Sequence, residues 1–213
     1  MLSIDALDVT IGAVPILSGV SMQLPAGLIS GLIGRNGAGK TTLLRALMGA
    51  IPAQHGAVRF QGHNLLALRD SARAALGIGY MPEDRKLVPE FSAEENMLLP
   101  AWAIGMVDAR DRLAWIYDLM PEVKTFRQQR ANQLSGGQQK LVALGRALMC
   151  GSRLLLLDEP FEGLAPALAR RLAQVLYDLK QQQISALIAD SNQQHMADLL
   201  DKIFMIERGK VQG

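Results

Sequence analysis

The chain has 213 residues, 22 Lys and Arg against 20 Asp and Glu, and a formal net charge of +2. Its scattered charges leave no basic stripe of the kind a nucleic-acid binder carries, and no apolar run is long enough to span a bilayer. Apolar residues make up 49%, enough for the core of one α/β domain, and the single cysteine, Cys150, excludes an internal disulfide framework and suits a reducing compartment.

The N-terminus, Met1 to Asp5, lacks the basic and apolar regions of a signal peptide, so a cytosolic protein is expected. Ser3 to Thr10 alternates as a strand does, and Val20 to Leu24 reads as a second one before the turn Pro25-Ala26-Gly27. Leu28 to Ile33 is a short apolar run with the look of a buried strand. It leads into Gly34-Arg35-Asn36-Gly37-Ala38-Gly39-Lys40-Thr41-Thr42, and a helix-forming run to Met48 follows that Gly49 can end. Val58 to Gly62 suggests a further hairpin, so the N-terminal third reads as a mostly antiparallel sheet beside the loop-bearing strand.

Asp70 to Leu76 is a short helix candidate and Ile78 to Met81 a strand, left through the charged loop Pro82-Glu83-Asp84-Arg85-Lys86. Ser92 and Glu95 have capping-box spacing, and Asp108 to Met120 has helical periodicity. The region from Val88 to Gln133 is therefore a helical insert, whose Met97, Trp102, Met106, Trp115 and Met120 are expected in the core unless a subset forms a docking patch. Ser135 to Gln138 opens a helix running to Met149, at whose end Cys150 is expected as a small buried residue. Leu154 to Leu157 reads as a strand buried on both faces, ending in Asp158-Glu159-Pro160. A helix from Pro166 to Gln183, a strand from Ile184 to Ala189, a helix from Gln193 to Leu200 and a strand from Ile203 to Ile206 complete the chain.

The glycine loop reads G-x-x-x-x-G-K-T between a strand and a helix, the context such a motif needs to cradle phosphates. Glycines 34, 37 and 39 let successive N–H groups converge on an anion, and the helix that follows points its positive end at the same place. Lys40 can reach outer phosphates and the Thr41 hydroxyl can ligate Mg²⁺, so the chain is expected to bind a nucleoside triphosphate. Four leucines deliver Asp158 to the carboxyl end of a core strand, where it can hold the Mg²⁺ shell, and Glu159 beside it can orient or deprotonate an attacking water. Ser135, Gly136, Gly137 and Gln138 offer a hydroxyl and bare N–H groups at a helix start, a second anion site or simply a cap.

The glycine loop, L-S-G-G-Q at 134–138 and L-L-L-L-D-E-P at 154–160 resemble, in order and spacing, the ATP-binding subunit of an ABC transporter over essentially the whole chain. Met120 to Glu122, Leu144 to Met149 and Asp158 to Pro166 are similar to the importers of branched-chain amino acids and related amides, whereas Met81 to Lys86 resembles sugar-importer ATPases as well. The resemblance implies an α/β fold: a P-loop NTPase core with a mixed central sheet, an N-terminal antiparallel β part and a helical subdomain. It implies one domain over 1–213, with 1–81 and 151–213 as core and 88–150 as the helical part carrying the Ser135 motif. It implies ATP and Mg²⁺ as cofactors and a head-to-tail dimer, homo- or heteromeric. Each ATP would lie between the phosphate loop of one subunit and Ser135 to Gln138 of the other. The partners implied are membrane permease subunits at the cytoplasmic face, met by the helical insert and the loop after Met81, and indirectly a solute-binding protein, with no nucleic acid.

Four positions depart from the family pattern. The aromatic that stacks on adenine aligns with Ile11, and the loop Gln that senses Mg²⁺ and water aligns with Glu83, a carboxylate that can still accept from that water. The Asp after the Asp-Glu-Pro segment aligns with Ala165, and the switch His aligns with Ser191; His195 lies four residues on, while His55 and His63 carry no signal. Intact Lys40, Thr41, Asp158 and Glu159 point to an active ATPase, and Ile11 and Ser191 to a hydrolysis-poor half of an asymmetric dimer. A soluble ABC-type ATPase of translation or repair is disfavoured by the lack of tandem domains or long coiled-coil insertions. The chain stops at Gly213, just past the last turn, so a terminal element is expected to be missing.

Overall fold

A computed structural model describes residues 1–194 and 196–212. In chain order the elements are β1 (Leu2–Ile11), β2 (Val14–Leu24), β3 (Ile29–Ile33), α1 (Lys40–Met48), β4 (His55–Phe60), β5 (His63–Asn64), α2 (Asp70–Ala75), β6 (Ile78–Met81), α3 (Ala93–Ile104), α4 (Ala109–Leu119), α5 (Pro121–Thr125), α6 (Gly136–Cys150), β7 (Leu154–Asp158), α7 (Pro166–Gln181), β8 (Ser185–Asp190), β9 (Lys202–Glu207) and β10 (Lys210–Gln212). Among the described residues the strands form an antiparallel sheet, ordered β2-β1-β4-β5, and a mixed one, ordered β10-β9-β3-β8-β7-β6. Only β10 runs against its neighbour in the second sheet.

The sequence dictates this layering. Every residue of β3, β7 and β8 is buried, as expected for parallel strands covered on both faces, and their near-continuous apolar runs provide that cover. On one face Leu155, Leu157 and Ile188 pack with Met97, Leu144, Leu148, Leu172 and Leu176 from α3, α6 and α7. On the other, α1 buries Leu43, Leu44 and Leu47 with Leu156 and Leu187, closed by Leu7, Val9, Val20 and Phe60 of the antiparallel sheet. The helix therefore sits between two sheets, and burying its apolar stripe from both sides is what fixes the loop at its N-terminus.

The topology brings the chemistry to one edge. Strands β3, β8 and β7 are parallel neighbours, with Ile33 opposite Asp190 and Asp158 opposite Ala189. The loop at 34–39, Asp190 and the Asp158-Glu159 pair thus leave the same edge of the sheet, in the crevice where open α/β sheets bind ligands.

Several elements differ from the sequence reading. β2 begins at Val14, six residues before the expected strand; Pro15 and Gly19 hide the alternation, and an edge position tolerates both. α3 continues through Pro100 to a left-handed Gly105 cap, and α5 starts on Pro121. The helix expected from Gln193 to Leu200 is replaced, among the described residues, by turns. The Asn192 side-chain oxygen accepts from the Gln194 N–H at 2.8 Å, as at a helix start, but Met196 N–H then donates to the Gln193 carbonyl at 3.0 Å and Leu199 N–H to the Met196 carbonyl at 2.9 Å, three-residue bonds that close turns. Cys150 is buried at the end of α6, and burial pushes its thiol up to about 11, which makes it inert. Met97 and Met120 lie in the core, whereas Trp102 is 53% exposed.

Candidate nucleotide site

The loop after β3 turns back on itself through Gly39, whose φ of 111° is open to glycine and strained for other residues, and α1 begins at the next residue. No side chain caps this helix, so its first N–H groups stay available to an anion. A cleft of about 400 Å³ lies against them, lined by Asn36, Gly37, Gly39, Lys40, Thr41 and Thr42, with Ile16, Glu83, Glu159 and Glu162 on its other walls. Gly34, Arg35 and Ala38 line a second cleft, shared with Met205 to Arg208.

Lys40 is buried, and its Nζ donates to the Gly34 carbonyl at 2.7 Å while lying 3.1 Å from Glu159 Oε1. The Thr41 hydroxyl donates to Asp158 Oδ1 at 3.1 Å, and the Tyr80 hydroxyl to Asp158 Oδ2 at 3.4 Å. Burial pushes the Asp158 carboxyl up to about 6, Thr41 pulls it down, and the charges of Glu83 and Glu159 raise it again. The Thr41 hydroxyl and the buried Asp158 carboxylate, with Glu83 and Glu159 near, form a hard-oxygen set in which Lys40 pairs with Glu159 and the Arg45 charge steadies Asp158. That chemistry fits Mg²⁺ held by one or two protein oxygens and by phosphate. Among the described residues no cluster of three or more His, Cys, Asp or Glu could hold a metal by itself.

Glu159 has a φ of 46°, the left-handed region, where a non-glycine residue is uncommon and strained. Its N–H donates to the Ala189 carbonyl at 2.8 Å, and its Oε2 accepts from the Ser191 N–H at 3.2 Å and hydroxyl at 3.5 Å. Ser191 therefore faces Glu159 and supplies neutral donors; His195 lies outside the described residues. Ile11, at the end of β1, is 49% exposed and is not on the wall of the Lys40 cleft, where Ile16 is. His55 and His63 are exposed. Ser135 caps α6 by accepting from the Gln138 N–H at 3.3 Å, while Gln138 Oε1 accepts from the Ser135 N–H at 2.8 Å. Ser135 and Gly136 are exposed, and no residue of 135–138 lines the Lys40 cleft of its own chain.

Asp190 was not singled out by the sequence, although it ends a core strand just as Asp158 does. It is buried; its Oδ1 accepts from the Asn192 N–H at 3.0 Å, and its Oδ2 has no donor among the described residues. Burial pushes this carboxyl up to about 7, helped by the adjacent Glu159 charge. Since the folded chain holds this proton and the unfolded chain releases it near its ordinary value of 3.8, stability falls as pH rises from about 4 to 7. Asp190→Asn is accordingly expected to melt several degrees above the wild type at pH 8, the gap closing towards pH 4. Thermal melts at both pH values check this, and equal melting temperatures at pH 8 would contradict it.

Residues 17–162, more than half of the chain, match the family model for the ABC transporter. The chain is 34% identical over 99% of its length to the high-affinity branched-chain amino acid transport ATP-binding protein BraG of Pseudomonas aeruginosa, covering 91% of that protein. It is 31% identical to the lipopolysaccharide export system ATP-binding protein LptB of Acidithiobacillus ferridurans, over 90% of this chain and 80% of that one. It superposes on the ADP conformation of an ATP-binding cassette of an ABC transporter with a TM-score of 0.88 at 25% identity, covering all of this chain and 89% of that one. With that match spanning the glycine loop, the Ser135 turn and the Asp158-Glu159 pair alike, the chain belongs to the ABC transporter family, as an ATP-binding subunit with ATPase activity.

Proposed function

We propose that this subunit powers an importer of branched-chain amino acids or related amides, by closing over ATP with a second ATPase subunit and opening after hydrolysis. The observation that carries the shared site is the separation, within one chain, of the Lys40 cleft from the exposed Ser135-Gly136 turn. A capped, exposed helix start with glycine N–H groups that does not line the phosphate cleft of its own chain has a use when it meets the triphosphate held by another subunit.

In this reading Gly34 to Thr42 wraps the phosphates, Lys40 leaves Glu159 for the outer ones, and Ser135 to Gln138 of the second subunit closes the site. Thr41 and Asp158, with Glu83 near, would hold Mg²⁺, which neutralises phosphate charge when bound. Glu159 accepts the proton of the attacking water, and Ser191 orients the Glu159 carboxylate. Ile16, on the cleft wall, gives the nucleotide base apolar contact in the place the sequence assigned to Ile11. The core is 1–81 with 151–213, and the helical part 88–150 presents Trp102 and Val107, both exposed, to a membrane permease. No helix of the described residues is long and apolar enough to cross a membrane. Attachment at the cytoplasmic face would be through that permease.

The branched-chain transport relative supports the cargo class, and the lipopolysaccharide export relative favours the opposite direction of transport. Transport of labelled leucine by the chain reconstituted with its permeases decides between them. For the shared site, Lys40→Ala and Ser135→Arg should each be inactive alone, and an equimolar mixture should regain about one quarter of wild-type ATPase activity. A mixture no more active than its parts overturns the shared site.

A further inference from the structure

We infer that Lys140 is a positioning residue for hydrolysis: from within α6 it holds the backbone that carries Glu159, so that the helix begun by the Ser135 turn also sets the aim of the Glu159 carboxylate. The inference rests on Glu159 acting as the group that activates water.

Lys140 lies five residues after Ser135, is 8% exposed and points at the loop that follows β7. Its Nζ donates to the Glu159 carbonyl at 2.9 Å, to the Pro160 carbonyl at 3.3 Å and to the Glu162 carbonyl. An ammonium has three donors, and all three are spent on the backbone of one short loop. Among the described residues no carboxylate lies within ion-pair distance of this ammonium. Its tie to the protein is therefore to peptide carbonyls.

Those carbonyls belong to a strained segment. Glu159 sits at a φ of 46°, a conformation that persists only where its surroundings over-determine it. On one side its N–H is tied to Ala189; on the other its carbonyl is tied to Lys140. Removal of the ammonium takes this donor from all three carbonyls, leaves that of Glu159 with only the Glu162 N–H at 3.3 Å, and loosens the peptide that follows Glu159, while the Gly39–Thr42 turn, two strands away, keeps its backbone bonds. The same helix anchors the Glu83 loop, since Arg146 donates to the Arg85 and Lys86 carbonyls. A movement of the Ser135 turn is thus passed along one rigid helix to the loop of Glu159.

The test is steady-state ATP hydrolysis by the full chain carrying Lys140→Met, Lys140→Gln or Glu159→Gln, with thermal melts of each. Lys140→Met should lose roughly 10- to 100-fold in kcat with KM within about threefold of the wild type, because misplacement by about 1 Å costs that much. Lys140→Gln, which keeps two donors without the charge, should recover at least about fivefold over Met. Wild-type kcat in the Met variant, a rise in KM with unchanged kcat, or a Gln variant no better than Met overturns the inference. If the Met variant shows no cooperative melt, the Gln variant decides: kcat lowered by about threefold or more at unchanged KM supports the role, and a wild-type kcat overturns it. Glu159→Gln separates the two levels. Wild-type hydrolysis by that variant removes the underlying reading, whereas an inactive Glu159→Gln beside a fully active Lys140→Met removes only the role of Lys140.

Discussion

Glu159→Gln is expected to bind ATP with near-wild-type affinity and to hydrolyse it roughly 10²- to 10³-fold more slowly. The substitution is close to isosteric and keeps the Oε atom that can accept from the Ser191 N–H and hydroxyl, so the loop geometry survives. It removes a carboxylate that lies both against Lys40, at 3.1 Å, and on the cleft wall. It also releases Lys40 from a buried ion pair, so any change in ATP affinity should be towards tighter binding. Phosphate release and nucleotide titration, run side by side, check both halves. Equal, near-zero turnover by the wild type and the variant would instead identify a hydrolysis-poor partner in an asymmetric dimer. The neutral donors of Ser191 leave room for that outcome, because they supply no positive charge to the phosphate end of the cleft.

A large loss of stability is expected from Gly79→Ala. Gly79 lies in β6, where that strand meets the end of α6: a methyl group there would overlap the Ala147 carbonyl and come within 2.8 Å of Gly151 Cα. Both obstacles are backbone, so the strain cannot be relieved by a side chain swinging away. The strand would have to move off β7 or the helix off the sheet. The cost is expected to be about 3 kcal/mol, the upper end of ordinary overpacking, equivalent to a fall of roughly 6–12 °C in melting temperature. Nucleotide affinity should weaken as well, because β6 carries Tyr80 against Asp158 and leads to Glu83. A melting temperature within about 2 °C of the wild type would show that the close approach is softer than these distances imply.

The structure and the sequence agree best where local rules suffice. Leu154 to Leu157 could be recognised as a doubly covered strand because four consecutive apolar residues leave no polar face. Ser92 and Ser135 could be recognised as helix starts because a hydroxyl and an amide or carboxylate three residues on satisfy two orphan N–H groups reciprocally, and both boxes are present. The first half of β2 was hidden because Pro15 and Gly19 suit an edge strand, and being an edge strand is a property of the sheet. Between Gln193 and Leu200 the helical periodicity is met by turns closed with three-residue bonds, a difference that periodicity does not register.

By itself the sequence determined the phosphate loop, the family and the strand that delivers Asp158, since these depend on residues adjacent along the chain. Only the tertiary structure decided which groups meet across it: Lys40 with Glu159, Ser191 with Glu159, and Lys140 with the carbonyls of residues 159, 160 and 162. It also decided that Ile16 lines the cleft while Ile11, five residues earlier, does not. The physical reason is strand order: β3, β8 and β7 become neighbours only when the sheet assembles, and a side chain's burial and charge partners follow from those neighbours.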